Sequence, residues 1–233
     1  MRQTSLPTVL ITGSSGFLGQ AIARGLSGRY RIIGLDVMQP KKPLDGVDTV
    51  EIDLTSDESV ARALAETRSR AGDRIASVIH LAAYYDTSGE DNPKYDQVTV
   101  QGTRRLLDQI RAFETEQFIF ASTMLVHAPS PEKGVKINEE SPLDPPWAYP
   151  KSKAEAEAVI REHRGGVKSV ILRFAGVYDE DCRAAFISQQ IARIFERRPK
   201  AYLFTGDLTS GQPYLHKDDL VDGWCEPLTA GNR

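Results

Sequence analysis

Val9-Leu10-Ile11-Thr12-Gly13-Ser14-Ser15-Gly16-Phe17-Leu18-Gly19 is the stretch on which the reading of this chain turns. An apolar run of strand character ends in Thr12. Three glycines follow at G-x-x-G-x-x-G spacing, and a helical segment opens behind them with Leu18, Ile22 and Leu26 on one face. In such a strand–turn–helix, Gly13 permits the tight turn and Gly16 lets backbone approach a pyrophosphate. Gly19 lets the helix pack close to the sheet. The helix N-terminus adds unpaired N–H groups and a partial positive charge. Gly13, Ser15, Gly16, Phe17, Leu18 and Gly19 are therefore candidate cofactor-binding residues. Glycine spacing alone is weak evidence; its place at the first strand-to-helix turn is what gives it weight.

Outward from this turn the chain alternates. Strand-like runs occur at Val9–Ile11, Tyr30–Leu35, Val50–Ile52, Ser77–His80, Phe118–Ala121 and Ser169–Leu172. Helix-length segments with apolar residues at three-to-four spacing lie between them. Ser56-Asp57 caps a helix that carries Val60 and Leu64 inward, and Val98, Leu106 and Ile110 share a face further on. Repeated strand–helix–strand units imply right-handed crossovers and a parallel sheet buried on both faces. The expected fold is α/β, a Rossmann-type doubly wound parallel sheet. The alternation weakens after Gly176. Ala184–Arg197 reads as a helix with Phe186, Ile187, Ile191 and Ile194 inward, and Thr205–Pro213 as a loop. A soft boundary near Tyr178 divides a dinucleotide-binding domain (1–178) from a partial substrate-binding region (179–233).

Composition narrows the classes of partner. The 233 residues carry 29 basic and 32 acidic side chains, and 40% are hydrophobic. A net charge of -3 gives no electrostatic footprint for nucleic acid or an anionic membrane. Cys182 and Cys225 form no C-x-x-C pair, which excludes a disulfide scaffold or cysteine-rich zinc site. His80, His127, His163 and His216 lack metal-ligand spacing, so no metal is expected. The polar N-terminus is not a secretory leader, and no apolar run reaches the ~20 residues of a spanning helix. A soluble, cytoplasmic protein that takes a small-molecule substrate is expected.

About twenty residues beyond Gly16, Asp36 closes the second strand. A carboxylate there accepts hydrogen bonds from both adenosine ribose hydroxyls and repels a 2′-phosphate. Val37 and Met38 follow it with no adjacent cation, which favours NAD over NADP. Asp53-Leu54, after the third strand, sets a carboxylate near an adenine amino group or merely makes a turn.

Tyr149 and Lys153 are four residues apart at the start of a helical segment and so share a face. A free tyrosine, with pKa about 10, is a poor base at neutral pH, and an adjacent ammonium favours its phenolate. Ser122-Thr123 end the strand Phe118–Ala121, at the sheet edge where ligands sit in open α/β folds.

Together these segments resemble the extended short-chain dehydrogenase/reductases, the NAD-dependent epimerase/dehydratase family. The resemblance runs in order through the glycine turn, Asp36, Asp53-Leu54, His80-Leu81-Ala82-Ala83, Gly102-Thr103, Ser122-Thr123, Tyr149-x-x-x-Lys153, Leu172-Arg173-Phe174, Val177-Tyr178 and His216-x-Asp218-Asp219-Leu220. It implies Tyr149 as general acid/base, Lys153 on the nicotinamide ribose, and Thr123 at the catalytic hydroxyl position with Ser122 beside it. Leu81, Ala82 and Ala83 would line the cofactor. The implied activity is NAD-dependent hydride transfer at an alcohol or carbonyl carbon. Nucleotide-sugar epimerisation by the same triad is the alternative, and an NAD-binding regulatory protein the alternative of another class.

Several positions depart from the family pattern. Met124 and Leu125 stand where dehydratases carry Asp-Glu, which disfavours dehydration. Gly176 and Thr99 replace asparagines common in sugar-nucleotide members, and Val126-His127-Ala128 replaces Val-Tyr-Gly. Tyr84, Tyr85 and Asp86 follow the fourth strand and face the expected cleft, either for aromatic contact with a sugar or another flat polar substrate or simply as exposed loop residues. Members often form homodimers through two long helices, here Gln97–Phe113 and Tyr149–Arg164. Against the family's usual length, the C-terminal substrate lobe reads as small and truncated.

Overall fold

The computed structural model describes residues 6–40, 42–86, 90–128, 135–199, 211 and 213–230. In chain order these form β1 (Thr8–Thr12), α1 (Phe17–Leu26), β2 (Arg31–Asp36), β3 (Val47–Glu51), α2 (Asp57–Ala71), β4 (Arg74–Ile75) and β5 (Ser77–His80). A π-helical turn (Tyr95–Val100) then runs into α3 (Gln101–Ile110), followed by β6 (Glu114–Thr115) and β7 (Gln117–Thr123). The remainder comprises α4 (Ala148–His163), β8 (Lys168–Phe174), β9 (Gly176–Tyr178), α5 (Ala185–Phe195), β10 (Tyr214–His216) and α6 (Lys217–Ala230).

Six strands form one sheet in the order β3-β2-β1-β5-β7-β8, and each neighbouring pair is parallel. The chain builds outward from β1 to β3, then crosses back to β5. The carboxyl ends of β1 and β5 therefore flank a strand-order switch, where open α/β sheets bind ligands. The expected Rossmann-type fold is what the chain adopts. Its third strand is Val47–Glu51 rather than Val50–Ile52.

Period-two alternation divides the core between the two faces. Leu10, Val78, Phe118 and Phe120 point to one face with Val60 and Leu64 of α2, Leu106 and Ile110 of α3, and Ala156 and Ile160 of α4. Val9, Ile11, Ile79 and Ile119 point to the other, where Ile22 and Leu26 of α1 meet Leu220 and Trp224 of α6. Fully burying such an aliphatic side chain contributes about 1.5–3 kcal/mol, so both helical layers are strongly coupled to the sheet. Ser56 caps α2 by accepting the Ser59 N–H at 3.2 Å. Residues beyond 178 thus contribute to the same core through α6.

Two expectations need correction. The apolar periodicity of 184–197 does form a helix, but Ile191 and Ile194 are 51% and 65% exposed, not inward. Periodicity predicts an apolar stripe; whether anything covers it depends on distant chain. The segment expected as one helix over Gln97–Phe113 is instead a π-helical turn leading into a shorter α3. Of the expected loop Thr205–Pro213, positions 205–210 and 212 fall outside the described residues. No helix among the described residues is long and apolar enough to cross a membrane.

Candidate active site

The glycine turn sits at the switch point and has the geometry its spacing predicts. Gly13 has φ +70°, and a Cβ there would lie 2.9 Å from the Ala82 nitrogen. A Cβ on Gly19 would lie 2.2 Å from the Gly13 oxygen, so only glycine lets α1 pack this close. Asp36 reaches the turn from the end of β2. Its carboxylate accepts the Ser15 N–H at 2.9 Å and the Met38 N–H at 3.2 Å, while the Ser15 hydroxyl donates to the Met38 carbonyl at 2.6 Å. Backbone free to approach a phosphate, with a carboxylate beside it, fits a dinucleotide without a 2′-phosphate.

Asp53 turns on itself. Its Oδ1 accepts the Thr55 hydroxyl at 2.7 Å and the Thr55 N–H at 2.8 Å, which hold its carboxyl below the usual range. Leu54 is buried in the core, where Gly102 admits it: a Cβ on Gly102 would lie 2.9 Å from the Leu54 Cβ.

A buried polar chain reaches Ala82 just beyond the end of β5. Burial, helped by the Lys153 charge, pushes His80 down to about 3, so the ring is neutral. The Thr103 hydroxyl donates to the Thr99 carbonyl at 2.5 Å, so it must accept from His80 Nε2–H at 3.0 Å. His80 Nδ1 then accepts the Thr12 hydroxyl at 2.6 Å, and Thr12 Oγ1 accepts the Ala82 N–H at 3.2 Å. Each group uses one donor and one acceptor without conflict. The result ties the end of β5 to β1 and α3 just before the Leu81-Ala82-Ala83 segment.

Tyr149 and Thr123 open on one cleft of about 450 Å³, which Phe17 and Leu18 of α1 also line. Thr123 Oγ1 accepts the Leu125 N–H at 3.2 Å, so the hydroxyl's own proton can be donated to a substrate oxygen. Ser122 also lines the cleft, but its hydroxyl donates to Glu157 Oε1 at 2.6 Å. Lys153 is buried below the cleft, donating to the Ala121 carbonyl at 2.7 Å with its ammonium 4.6 Å from the centre of the Phe120 ring. Burial pushes it down to about 7 against the opposing charge of Glu157.

Lys153, at i+4, is expected to lower the Tyr149 pKa, but the phenol shifts the other way. Burial raises the phenol above its ordinary value, with Tyr85 and Tyr95 adding to the effect. Tyr85 packs edge-on at 4.8 Å, and the lysine charge is directed to the Ala121 carbonyl instead. Tyr85 therefore lines the cleft. Its neighbour Tyr84 is held against Tyr95 at 4.9 Å and accepts from Asn92 at 3.1 Å.

Glu157 was not singled out from the sequence, although Tyr149, Lys153 and Glu157 fall at successive four-residue steps on α4. Its fully buried carboxylate accepts from Ser122, from Arg173 at 3.0 and 2.6 Å, and from Arg161 at 2.8 Å. Arg173 also donates to His127 Nε2 at 3.1 Å, and His127 Nδ1–H donates to the Ser141 carbonyl at 3.1 Å. This network anchors the chain that leads into Tyr149. The acidic run Asp179-Glu180-Asp181 is likewise engaged: Arg183 pairs with Asp179 and Asp181, and Lys217 with Glu180. Glu180, His216 and Asp218 bring ligand atoms within 4.8 Å of one another, but Lys217 Nζ already lies 3.2 Å from Glu180 and 3.3 Å from Asp218.

A parallel sheet with a glycine turn at its switch point and a Tyr-Lys helix beside a strand-end threonine defines a protein of the short-chain dehydrogenase/reductase type. Sequence comparison narrows this further: residues 9–232 match the NAD dependent epimerase/dehydratase family, and the chain belongs to it. The mouse (Mus musculus) protein 3 beta-hydroxysteroid dehydrogenase type 7 is 32% identical over 200 residues, 75% of this chain and 52% of that protein. Human dTDP-D-glucose 4,6-dehydratase is 26% identical over 238 residues, 96% of this chain and 66% of that protein. The UDP-glucose 4-epimerase of Thermus thermophilus, solved as a complex with NAD, superposes with a TM-score of 0.75 at 27% identity. That match covers 95% of this chain and 74% of the epimerase. The chain spans about half the length of the steroid dehydrogenase it matches.

Proposed function

We propose that this chain is the cofactor-binding and catalytic part of an NAD-dependent oxidoreductase acting on an alcohol or carbonyl carbon. The observation that carries this reading is that Tyr149 and Thr123 line one cleft with Phe17 and Leu18, which lie between Gly16 and Gly19. In this reading Gly13, Ser15, Gly16, Phe17, Leu18 and Gly19 hold the pyrophosphate, and Asp36 takes the adenosine ribose. Asp53 and Leu54 border the adenine. Leu81, Ala82, Ala83 and Ser122 border the nicotinamide half, and Lys153 reaches its ribose. When bound, NAD supplies the hydride acceptor. Thr123 Oγ1 donates a hydrogen bond to the substrate oxygen and orients it. Tyr149 Oη moves the proton.

The raised pKa of Tyr149 keeps its proton on, which suits donation to a carbonyl oxygen in the reductive direction. Removing an alcohol proton requires positive charge near Oη, and Lys153, one helical turn on, is the cation at hand. Met124 and Leu125 have no proton to move, which disfavours dehydration. Epimerisation remains the second reading because it needs the same residues and matches the activity of the Thermus relative. The division of roles near Tyr178, a cytoplasmic location, and a homodimer formed through α3 and α4 belong to the same proposal.

The test is Tyr149→Phe. NADH formation should fall roughly 10²–10⁴-fold, as expected for loss of a general acid/base, while NAD binding persists. Undiminished turnover would end the catalytic reading. Interconversion of UDP-sugars without net NADH would favour the epimerase.

A further inference from the structure

The cleft lining is mostly apolar. Thr123 and Tyr149 supply polar side-chain atoms. Around them the wall includes Met124, Leu125, Trp147, Phe174, Val177 and Tyr214. Among the described lining residues Arg183 is the one charged group. It is already committed, with Nε 3.3 Å from Asp179 and Nη2 2.7 Å from Asp181. A diphosphate placed here would lose its hydration against an apolar wall and meet a cation already neutralised by two carboxylates, which is a costly exchange.

The wall also has a defined shape. Tyr214 of β10 is paired in register with Gly176 of β9. A Cβ on Gly176 would lie 2.8 Å from both Cδ1 and Cε1 of Tyr214, so the ring rests directly on glycine backbone. The aromatic face takes the space that any side chain at 176 would need.

We infer that the cleft takes a secondary alcohol or ketone borne on an apolar ring body without a diphosphate, with Tyr214 on Gly176 as the specificity-determining wall. The inference rests on the oxidoreductase reading for the identity of the reacting group. It rests on the lining alone for the body of the substrate.

Trp147 lines the cleft and is 36% exposed, whereas Trp224 is 1% exposed, so a change in the Trp147 emission reports occupancy. The full chain, saturated with NAD, is titrated with 2-decalol, a bicyclic secondary alcohol, and in parallel with UDP-glucose. The expected result is a blue shift of the emission by 2-decalol at a dissociation constant at least ten-fold below that of UDP-glucose. Tyr214→Ala should weaken 2-decalol about ten-fold and raise its KM more than it lowers kcat, since Tyr214 carries none of the reacting groups. Equal or tighter binding of UDP-glucose overturns the inference, as does failure of 2-decalol to shift the emission. If 2-decalol binds but yields no NADH at any pH, the apolar site stands and the oxidoreductase reading falls. If UDP-glucose alone reduces NAD, the oxidoreductase reading stands and the apolar site falls.

Discussion

Lys153 shows how strongly burial acts on a single residue. Its ammonium is enclosed by the Ala121 carbonyl and the Phe120 ring, and burial takes it from an ordinary 10.5 to about 7. A base whose folded pKa is depressed costs stability most fully below that pKa. Between about 7 and 10.5 the unfolded chain holds a proton that the folded chain has released, so stability contributed by this group rises with pH. Tyr149, with its phenol raised, acts in the opposite sense only above its ordinary value of 10.0. The urea midpoint of the wild-type protein relative to Lys153→Met should therefore climb from pH 7 to 9.5. A constant difference across that range would show that Lys153 is not the buried base described. Adjacent residues also part company at this scale. Ser122 and Thr123 are equivalent strand-end hydroxyls in sequence and both line the cleft, yet the Ser122 hydroxyl is spent on Glu157 while the Thr123 proton stays available.

Among the elements, α4 organises the site. Tyr149, Lys153 and Glu157 follow one another by single helical turns, placing an acid/base candidate, a buried cation and a buried anion along one stripe. Glu157 then clamps β7 through Ser122 and β8 through Arg173. Burial alone would raise its carboxyl, but the hydrogen bonds from Arg173 and Ser122 outweigh burial and hold it below the usual range. Glu157→Gln leaves the largely buried Arg173 guanidinium without its counter-charge. Loss of one partner from such a pair costs about 3–5 kcal/mol, and the residual exposure of Arg173 places the expected loss near 3 kcal/mol. Chemical denaturation measures it directly. A loss under 1 kcal/mol would mean that the clamp is only local. The same i, i+4 step that marks Tyr149 and Lys153 could have flagged Glu157, but nothing local reveals that Arg173, sixteen residues on, completes it.

For the whole molecule, the switch between β1 and β5 sets what a ligand can stabilise. A dinucleotide across it would touch the glycine turn, Asp36 at the end of β2 and the Leu81–Ala83 segment, joining both halves of the sheet. A ligand at 100 times its Kd adds about 2.7 kcal/mol. For a chain of this size that corresponds to a rise in Tm of roughly 5–10 °C. NAD should produce such a shift and NADP a much smaller one, with Asp36→Ala reducing the difference; an equal shift with NADP would remove the role given to Asp36. The other face of the sheet depends on α6. Trp224 is buried against Phe174 at 5.8 Å between ring centres, and Trp224→Ala should cost about 3–5 kcal/mol by denaturant titration. That value would establish the end of the described chain as structural core, whatever its part in substrate binding.

The sequence by itself determined the parallel α/β fold, the glycine turn, Asp36 at the close of β2 and the Tyr149–Lys153 stripe. Each depends on local rules: a period of two or 3.6, a glycine where backbone must pass close, a cap before a helix. Only the tertiary structure decided that α5 presents Ile191 and Ile194 outward and that Tyr149, half-buried beside Tyr85, keeps its proton. Tertiary structure also set the Tyr214 ring on Gly176 and turned Lys153 toward Ala121, thirty-two residues away. The physical reason is the same in each case. Burial and charge pairing depend on which distant segments the sheet brings together, and those partners set protonation and cleft chemistry.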